Sequence, residues 1–307
     1  MKLNFKIFPI LILAGIMITT GCDKDDDPVA EMDEKNIVEV AQEAGQFSMI
    51  LQAAQRAGLA DFLSTENSIT VFAPTDDAFA ALLAGLGLSS LEEIDATTLA
   101  GILAYHVVGD IANSSALSSG VVPSLNTSAP GNVPLSLLFS VGEDVMVNKS
   151  KVTTADIEAS NGLIHIIDKV LLPPSVVDVA TFSEDFSALV SAVVKAGLVD
   201  ALSAEGPFTV FAPTNAAFDE LFAALGISGI DELTAEQLTP ILTYHVVSGN
   251  VRSTDLSAGE VGTLNPGSNL TVDLSSGVMI NESAVIAADI QGANGVVHVI
   301  DKVLLPE

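Results

Sequence analysis

The first regular signal along the chain is helical. Within residues 37–63, Met49, Ala53 and Ala57 step by four with Ile50 alongside, which predicts a helical stretch broken at Gly58. Residues 176–202 repeat it. A β-branched and aromatic run at 69–73 predicts a strand that stops at Pro74. Thr75 then stands as an N-cap, its hydroxyl placed to accept a free N–H of the next turn, and Thr214 stands likewise. Behind the first cap Phe79, Leu82, Leu83 and Leu86 form one apolar stripe, and behind the second Phe218, Leu221, Phe222 and Leu225 form another. A further helix carries Leu99, Ile102, Leu103 and His106 on one face, matched by Leu238, Ile241, Leu242 and His245. Tyr105 and Tyr244, next door, turn roughly 100° away, toward a different surface. From Val107 onward only short strands are predicted, at 121–125, 135–139, 145–148 and 163–172. Helices first and strands afterwards predict an α+β domain, with helices laid against an antiparallel sheet or sandwich.

This order occurs twice. Thr70-Val71-Phe72-Ala73-Pro74-Thr75 returns as Thr209-Val210-Phe211-Ala212-Pro213-Thr214, and Tyr105-His106-Val107-Val108 as Tyr244-His245-Val246-Val247, both 139 positions on. The closing run from Asn161 to Pro173 returns from Asn294 to Pro306, now 133 positions on. The second copy has therefore lost six residues between Asn126 and Met146, where the first carries a Pro/Gly/Ser-rich stretch at 127–134 that reads as a surface loop. A repeat of this length is a whole domain. The boundary falls near Pro173-Pro174 with almost no linker, which predicts two units that pack or sit at a restricted angle.

The start of the chain reads differently. Lys2 and Lys6 precede an apolar run at 7–18, too short to span a bilayer of about 30 Å, then Thr19-Thr20-Gly21-Cys22. Residues 1–21 are thus expected to be a signal peptide. The sole Cys resembles the lipidation site of the bacterial lipobox, with Thr19 where Leu is usual. The acid-rich residues 22–35 then form a solvated tether, and a Lys followed by acids resembles the surface-export signal of Gram-negative lipoproteins. Asp23, Asp25, Asp27 and Glu34 have calcium-loop spacing, but Pro28 holds the position that needs Gly, and the spacing is read as coincidence.

Composition narrows the function. With 11 Lys+Arg against 39 Asp+Glu, the formal charge of −28 repels phosphate and excludes a nucleic-acid partner. With 5% aromatic residues and no Trp, stacking platforms for bases or sugars are scarce. A single Cys excludes a disulfide scaffold or a multi-thiolate metal site. All four histidines, His106, His165, His245 and His298, fall at duplicated positions and are read as core residues bonded to backbone, with no metal and no cofactor. Asn161-Gly162 and Asn294-Gly295 are read as tight turns with positive φ. No nucleophile elbow, phosphate loop or His-Glu-x-x-His motif occurs, so catalytic residues are not expected.

The Thr-Val-Phe-Ala-Pro-Thr segment, the Tyr-His pair about thirty residues later and the closing Asn-Gly-x-x-His-x-x-Asp-x-Val-Leu-x-Pro resemble the fasciclin domain, known as FAS1. The resemblance implies two tandem FAS1 domains, at 36–173 and 174–307, each a β-sandwich or wedge flanked by helices. It also implies cell adhesion. In animal members the Tyr-His region and an Asp-Ile motif are implicated in integrin binding. By resemblance those positions are Tyr105, His106, Asp156, Ile157, Tyr244, His245, Asp289 and Ile290. The Asp-Ile flanks differ here, and a bacterium has no integrins, so the fold-determinant reading of these residues stands beside the binding one. The expectation is a lipid-anchored outer-membrane lipoprotein, exposed at the cell surface. It would contact polysaccharide, matrix or an envelope protein and touch the membrane only through its anchor. The alternatives are a structural, periplasm-facing envelope protein and a small-ligand binder or enzyme.

Overall fold

The computed structural model describes residues 34–306, so Cys22, the leader and most of the tether lie outside the described residues. The first domain opens with α1 (Ile37–Ala44), α2 (Ser48–Arg56) and α3 (Ala60–Thr65), then β1 (Ile69–Pro74), α4 (Asp76–Leu86) and α5 (Ala96–Tyr105). Six strands follow: β2 (Val107–Val108), β3 (Gly120–Pro123), β4 (Ser136–Val141), β5 (Val145–Val147), β6 (Ser150–Ala159) and β7 (Gly162–Ile167). The second domain repeats the plan with α6 (Val176–Phe182), α7 (Ser187–Lys195), α8 (Val199–Ser203), β8 (Phe208–Pro213), α9 (Asn215–Leu225) and α10 (Ala235–Tyr244). It ends with β9 (Val246–Ser248), β10 (Gly259–Gly262), β11 (Asn269–Asp273), β12 (Met279–Ile280), β13 (Ser283–Gly292) and β14 (Gly295–Ile300).

Each domain holds one seven-stranded sheet, in the order β2-β1-β7-β6-β5-β4-β3 and its counterpart β9-β8-β14-β13-β12-β11-β10. The sheet is mixed, not antiparallel as expected: β1 runs parallel to β7, and β8 to β14. That pairing joins the start of each repeat to its end and encloses everything between. Strand β6 is the corner. It pairs with β5 only through Ser150 and Lys151, and with β7 from Val152 onward.

Two cores result. On one face, helices α1–α5 pack through Ile37, Phe47, Ala53, Phe79, Leu83, Leu99 and Leu103 onto Ile69, Val71, Ile164 and Ile166. On the other, Phe72, Tyr105, Leu135, Leu137, Phe139, Val147 and Ile167 fill the space inside the bent sheet. Strand β1 feeds both cores and is buried along its whole length, which is why it reads as an unbroken apolar run. The second domain repeats the pattern around Phe218 and Val297, and around Phe211 and Ile300.

Several expectations need correction. The helical stretch breaks at Gly45 as well as Gly58, Gly45 closing α1 at φ 68°. The Thr75 and Thr214 caps form, each hydroxyl accepting an N–H three residues on. Leu86 and Leu225, however, stand half exposed at the ends of their helices, where the chain turns away from the core at Gly87 and Gly226. The ten-residue β6 had no sequence expectation, and the run from Leu163 leaves the sheet at Ile167 instead of continuing to Leu172. Gly162 is needed for close approach, not for positive φ: a Cβ there would lie 2.0 Å from the Ile69 carbonyl oxygen. Asn161 beside it accepts from the Ile37 N–H and donates to the Leu63 and Glu66 carbonyls, tying α1 to the end of α3.

The two domains are in direct contact. Leu138 of β4 joins the helical core of the second domain. The Gln291 N–H donates to the Ser136 hydroxyl at 2.9 Å, and the Asn250 amide donates to the Pro130 carbonyl at 2.9 Å. The six-residue excess of the first copy therefore supplies part of the interdomain contact. Lys149 reaches α6, donating to the Thr181 hydroxyl at 3.0 Å and lying 3.7 Å from the Asp178 carboxylate.

Candidate functional site

The Tyr-His pair closes α5 and α10, and both residues are enclosed. The Tyr105 phenol does turn away from the helical core, as the 100° rotation requires, but its destination is the second core and not a surface. Its hydroxyl donates to the Ser136 carbonyl at 2.7 Å and accepts from the Asn148 amide at 2.8 Å. Asn148 sits at φ 50° and takes the Leu138 N–H on its other atom, so one amide fastens the β4–β5 hairpin to the helix end. Tyr244, Asn269 and Asn281 repeat the arrangement at 2.8 and 3.0 Å. Burial pushes the Tyr105 hydroxyl above its ordinary range, so it stays protonated and donating.

The histidines bond entirely to backbone. His106 Nδ1 lies 2.7 Å from the Ile102 carbonyl and Nε2 accepts the Leu171 N–H at 2.8 Å, which fixes a neutral ring with the proton on Nδ1. His245 is held the same way by Ile241 and Leu304. Burial pushes both rings down to about 4, against a smaller upward pull from the accepting carbonyl. His165 takes the opposite tautomer: Nδ1 accepts the Asp156 N–H at 3.1 Å and Nε2 faces the Ala112 carbonyl at 2.7 Å. His298 does the same with Asp289 and Val251, and its burial lowers its pKa.

The Asp-Ile motif forms a bulge in β6 and β13. Pairing slips between Thr154 and Ile157, and between Ala287 and Ile290, with Asp156 and Asp289 at φ 56° and 62°. Asp is among the few residues that tolerate that region. Ile157 and Ile290 then point back to the helical cores. Each carboxylate reaches a loop serine. Asp156 accepts from both the Ser114 N–H (2.8 Å) and the Ser114 hydroxyl, and Asp289 from the Ser253 N–H (2.7 Å) and hydroxyl (2.5 Å). The Ser114 hydroxyl and N–H hold Asp156 below the usual carboxylate range. At Asp289 burial pushes up, but the Ser253 bonds win and the pKa is again lowered.

A serine, an aspartate and a histidine thus meet in each domain, without the geometry of a nucleophilic triad. The hydroxyl is spent on the carboxylate, and both ring nitrogens are spent on backbone, so no base faces the serine. Of the eight motif residues, the structure encloses Tyr105, His106, Tyr244, His245 and Ile290 and half-buries Ile157 and Asp289; Asp156 alone is exposed. Sequence reasoning missed the partners Ser114, Asn148 and Ser150. Each has an identical counterpart, at Ser253, Asn281 and Ser283, so the duplication was the signal that could have found them. Among the described residues no three His, Cys, Asp or Glu side chains group as a metal site, and no helix is long and apolar enough to cross a membrane.

Comparison with known proteins fits this construction. The family model described as the fasciclin domain matches residues 45–173 and 184–306. The Synechocystis protein sll1483 is 50% identical over 133 residues, covering 43% of this chain and 73% of its own length. The transforming growth factor-beta-induced protein ig-h3 of Sus scrofa is 31% identical over 312 residues, 97% of this chain and 42% of its own. The cell surface glycolipoprotein MPB83 of Mycobacterium bovis is 43% identical over 112 residues, 36% of this chain and 48% of its own. Among solved structures, a FAS1 domain pair from the insect cell adhesion molecule fasciclin I aligns with a TM-score of 0.54 at 21% identity, over 86% of this chain and 98% of that one, a likeness of fold. The chain belongs to the fasciclin domain family and carries two of its domains in tandem.

Proposed function

We propose that this protein is a non-enzymatic, lipid-anchored adhesion protein of the outer cell surface, whose two domains contact matrix, polysaccharide or an envelope protein. The observation that carries the reading is where the polar chemistry goes. The tyrosines, histidines and motif aspartates are consumed in bonds that fix the fold, which leaves an acidic exterior as the working part. The names of MPB83, a cell surface glycolipoprotein, and of fasciclin I, an adhesion molecule, support it, as does the lipobox-like Cys22. The acidic segment after Cys22 acts as a tether that concentrates both domains at the surface.

Two measurements test the proposal. Protease applied to whole cells is expected to remove the domains, and labelled palmitate to enter the wild type but not a Cys22→Ser variant. A protein protected until lysis faces the periplasm, and the structural-envelope reading replaces this one. Deletion of the gene is expected to reduce attachment and matrix association; unchanged attachment would refute the adhesive role.

A further inference from the structure

The duplication permits a comparison inside one molecule. In the first domain, the open side of the second core forms a cleft of about 340 Å³ whose walls include Asn148, Lys149, Lys169 and Leu171. Its far side is closed by Asp178 and Phe182 of α6, the first helix of the second domain. The counterpart in the second domain, between Asn281, Glu282, Lys302 and Leu304 with Tyr244 at its base, measures about 640 Å³, and among the described residues no helix bounds its far side. The described fold thus contains one cleft narrowed by a helix of the neighbouring domain and a wider one that no described helix borders.

The positions that receive the helix differ between the two clefts. Leu138, buried in the neighbouring domain's core, becomes Thr271, and Lys149, which faces Asp178, becomes Glu282. Val121 becomes Glu260, which lines the larger cleft. Lys169 and Lys302 match, so they do not set the difference. A third fasciclin unit of this chain's own kind is a poor occupant. In α1 the counterparts of Asp178 and Phe182 are Glu39 and Glu43, so a second copy docked head-to-tail would set Glu39 against Glu282.

We propose that the cleft of the second domain, built by Glu260, Thr271, Glu282 and Lys302 over Tyr244, is a docking site for a basic helical segment of a partner protein. The helix lies as α6 lies on the first domain, with a Lys or Arg at the place of Asp178 facing Glu282. This deepens the adhesion reading, on which it rests, by naming the contact surface and the partner's charge.

The probes are two helix-stabilised peptides of residues 173–183, one with the native sequence and one carrying Asp178→Lys, added to the isotope-labelled two-domain protein. The Asp178→Lys peptide is expected to shift resonances of Thr271, Glu282 and Lys302, to bind at least about fivefold tighter than the native helix, and to weaken with salt. In a Glu282→Lys protein the order of the two peptides is expected to reverse. The proposal is overturned by an absence of shifts with either peptide, or by an unchanged order in Glu282→Lys. It is equally overturned by concentration-dependent self-association that occupies the cleft, which would assign it to a second copy. Peptide failure with attachment intact removes this cleft and leaves adhesion standing; lost adhesion with peptide binding intact does the reverse.

Discussion

Lowering the pH from 7.5 to 5 is expected to destabilise the protein through His106 and His245. Both rings are neutral and buried, and in each Nε2 faces an N–H donor. A second ring proton would set donor against donor, at Leu171 in one domain and Leu304 in the other. Their folded pKa values are about 4, against an ordinary value of 6.5. Between those limits the unfolded chain binds protons that the folded chain refuses, so stability falls as pH falls and levels off below the folded value. At pH 5 the loss is about 2 kcal/mol for each ring, or about 4 kcal/mol if both domains unfold together. His298, lowered in the same direction, adds to it.

The window also separates this effect from the 39 acidic residues, most of which stay ionised above pH 5. Urea unfolding followed by circular dichroism at half-unit pH steps measures the slope, and imidazole NMR on the folded protein measures the rings directly. Stability that is flat within about 0.5 kcal/mol across the window, a small fraction of the expected loss, would refute the reasoning. A ring resonance of His106 or His245 titrating near 6.5 would refute it just as well.

Three further outcomes are expected. Tyr105→Phe strands the Asn148 amide and the Ser136 carbonyl, costing roughly 1–3 kcal/mol by chemical denaturation, with β4 and β5 amides losing exchange protection. Gly162→Ala drives a methyl against the Ile69 carbonyl and costs about 3 kcal/mol. Gly45→Ala, at positive φ in open space, costs only about 1–2 kcal/mol, and calorimetry on the pair checks the distinction. Leu138→Thr with Lys149→Glu gives the first domain the second domain's face, and is expected to split a shared thermal transition into two.

The order of elements was legible because the residues that end them are local signals. Thr75 caps a helix from its own sequence position, and Pro74 stops a strand. Strand β6 was not legible. Its Thr153, Thr154, Asp156 and Glu158 face solvent, and its bulge at Asp156 breaks the alternation that marks a strand. The apolar run after Leu163 extends in sequence beyond the strand it forms, which ends at Ile167, because nothing in Asp168-Lys169 announces the turn. That turn comes from a distant contact, the Asp168 carboxylate accepting the Lys151 N–H and the Ser150 hydroxyl. The direction of Tyr105 followed from helix geometry, but a helix does not say whether the space on that side holds water or another core. The parallel pairing of β1 with β7, about ninety positions apart, belongs to the same class of information.

Two copies in one chain also separate what the fold requires from what a face is for. The bonds that build each domain are the same: Tyr105 with Asn148 and Tyr244 with Asn281, Asp156 with Ser114 and Asp289 with Ser253, Asn161 and Asn294 on their helix ends. Had Leu138 and Lys149 served the fold too, they would have stayed alike in the second copy, as the cleft residues Asn148, Ser150, Lys169 and Leu171 did. Instead Leu138 and Lys149 match the helix they hold, while Glu282 would meet Glu39 if α1 of a second copy lay there. An apolar and basic cleft left open would recruit the acidic helices of other copies, and a chain carrying −28 has many. The exchange of Lys for Glu blocks that contact and, with the same side chain, makes the open cleft selective for positive charge.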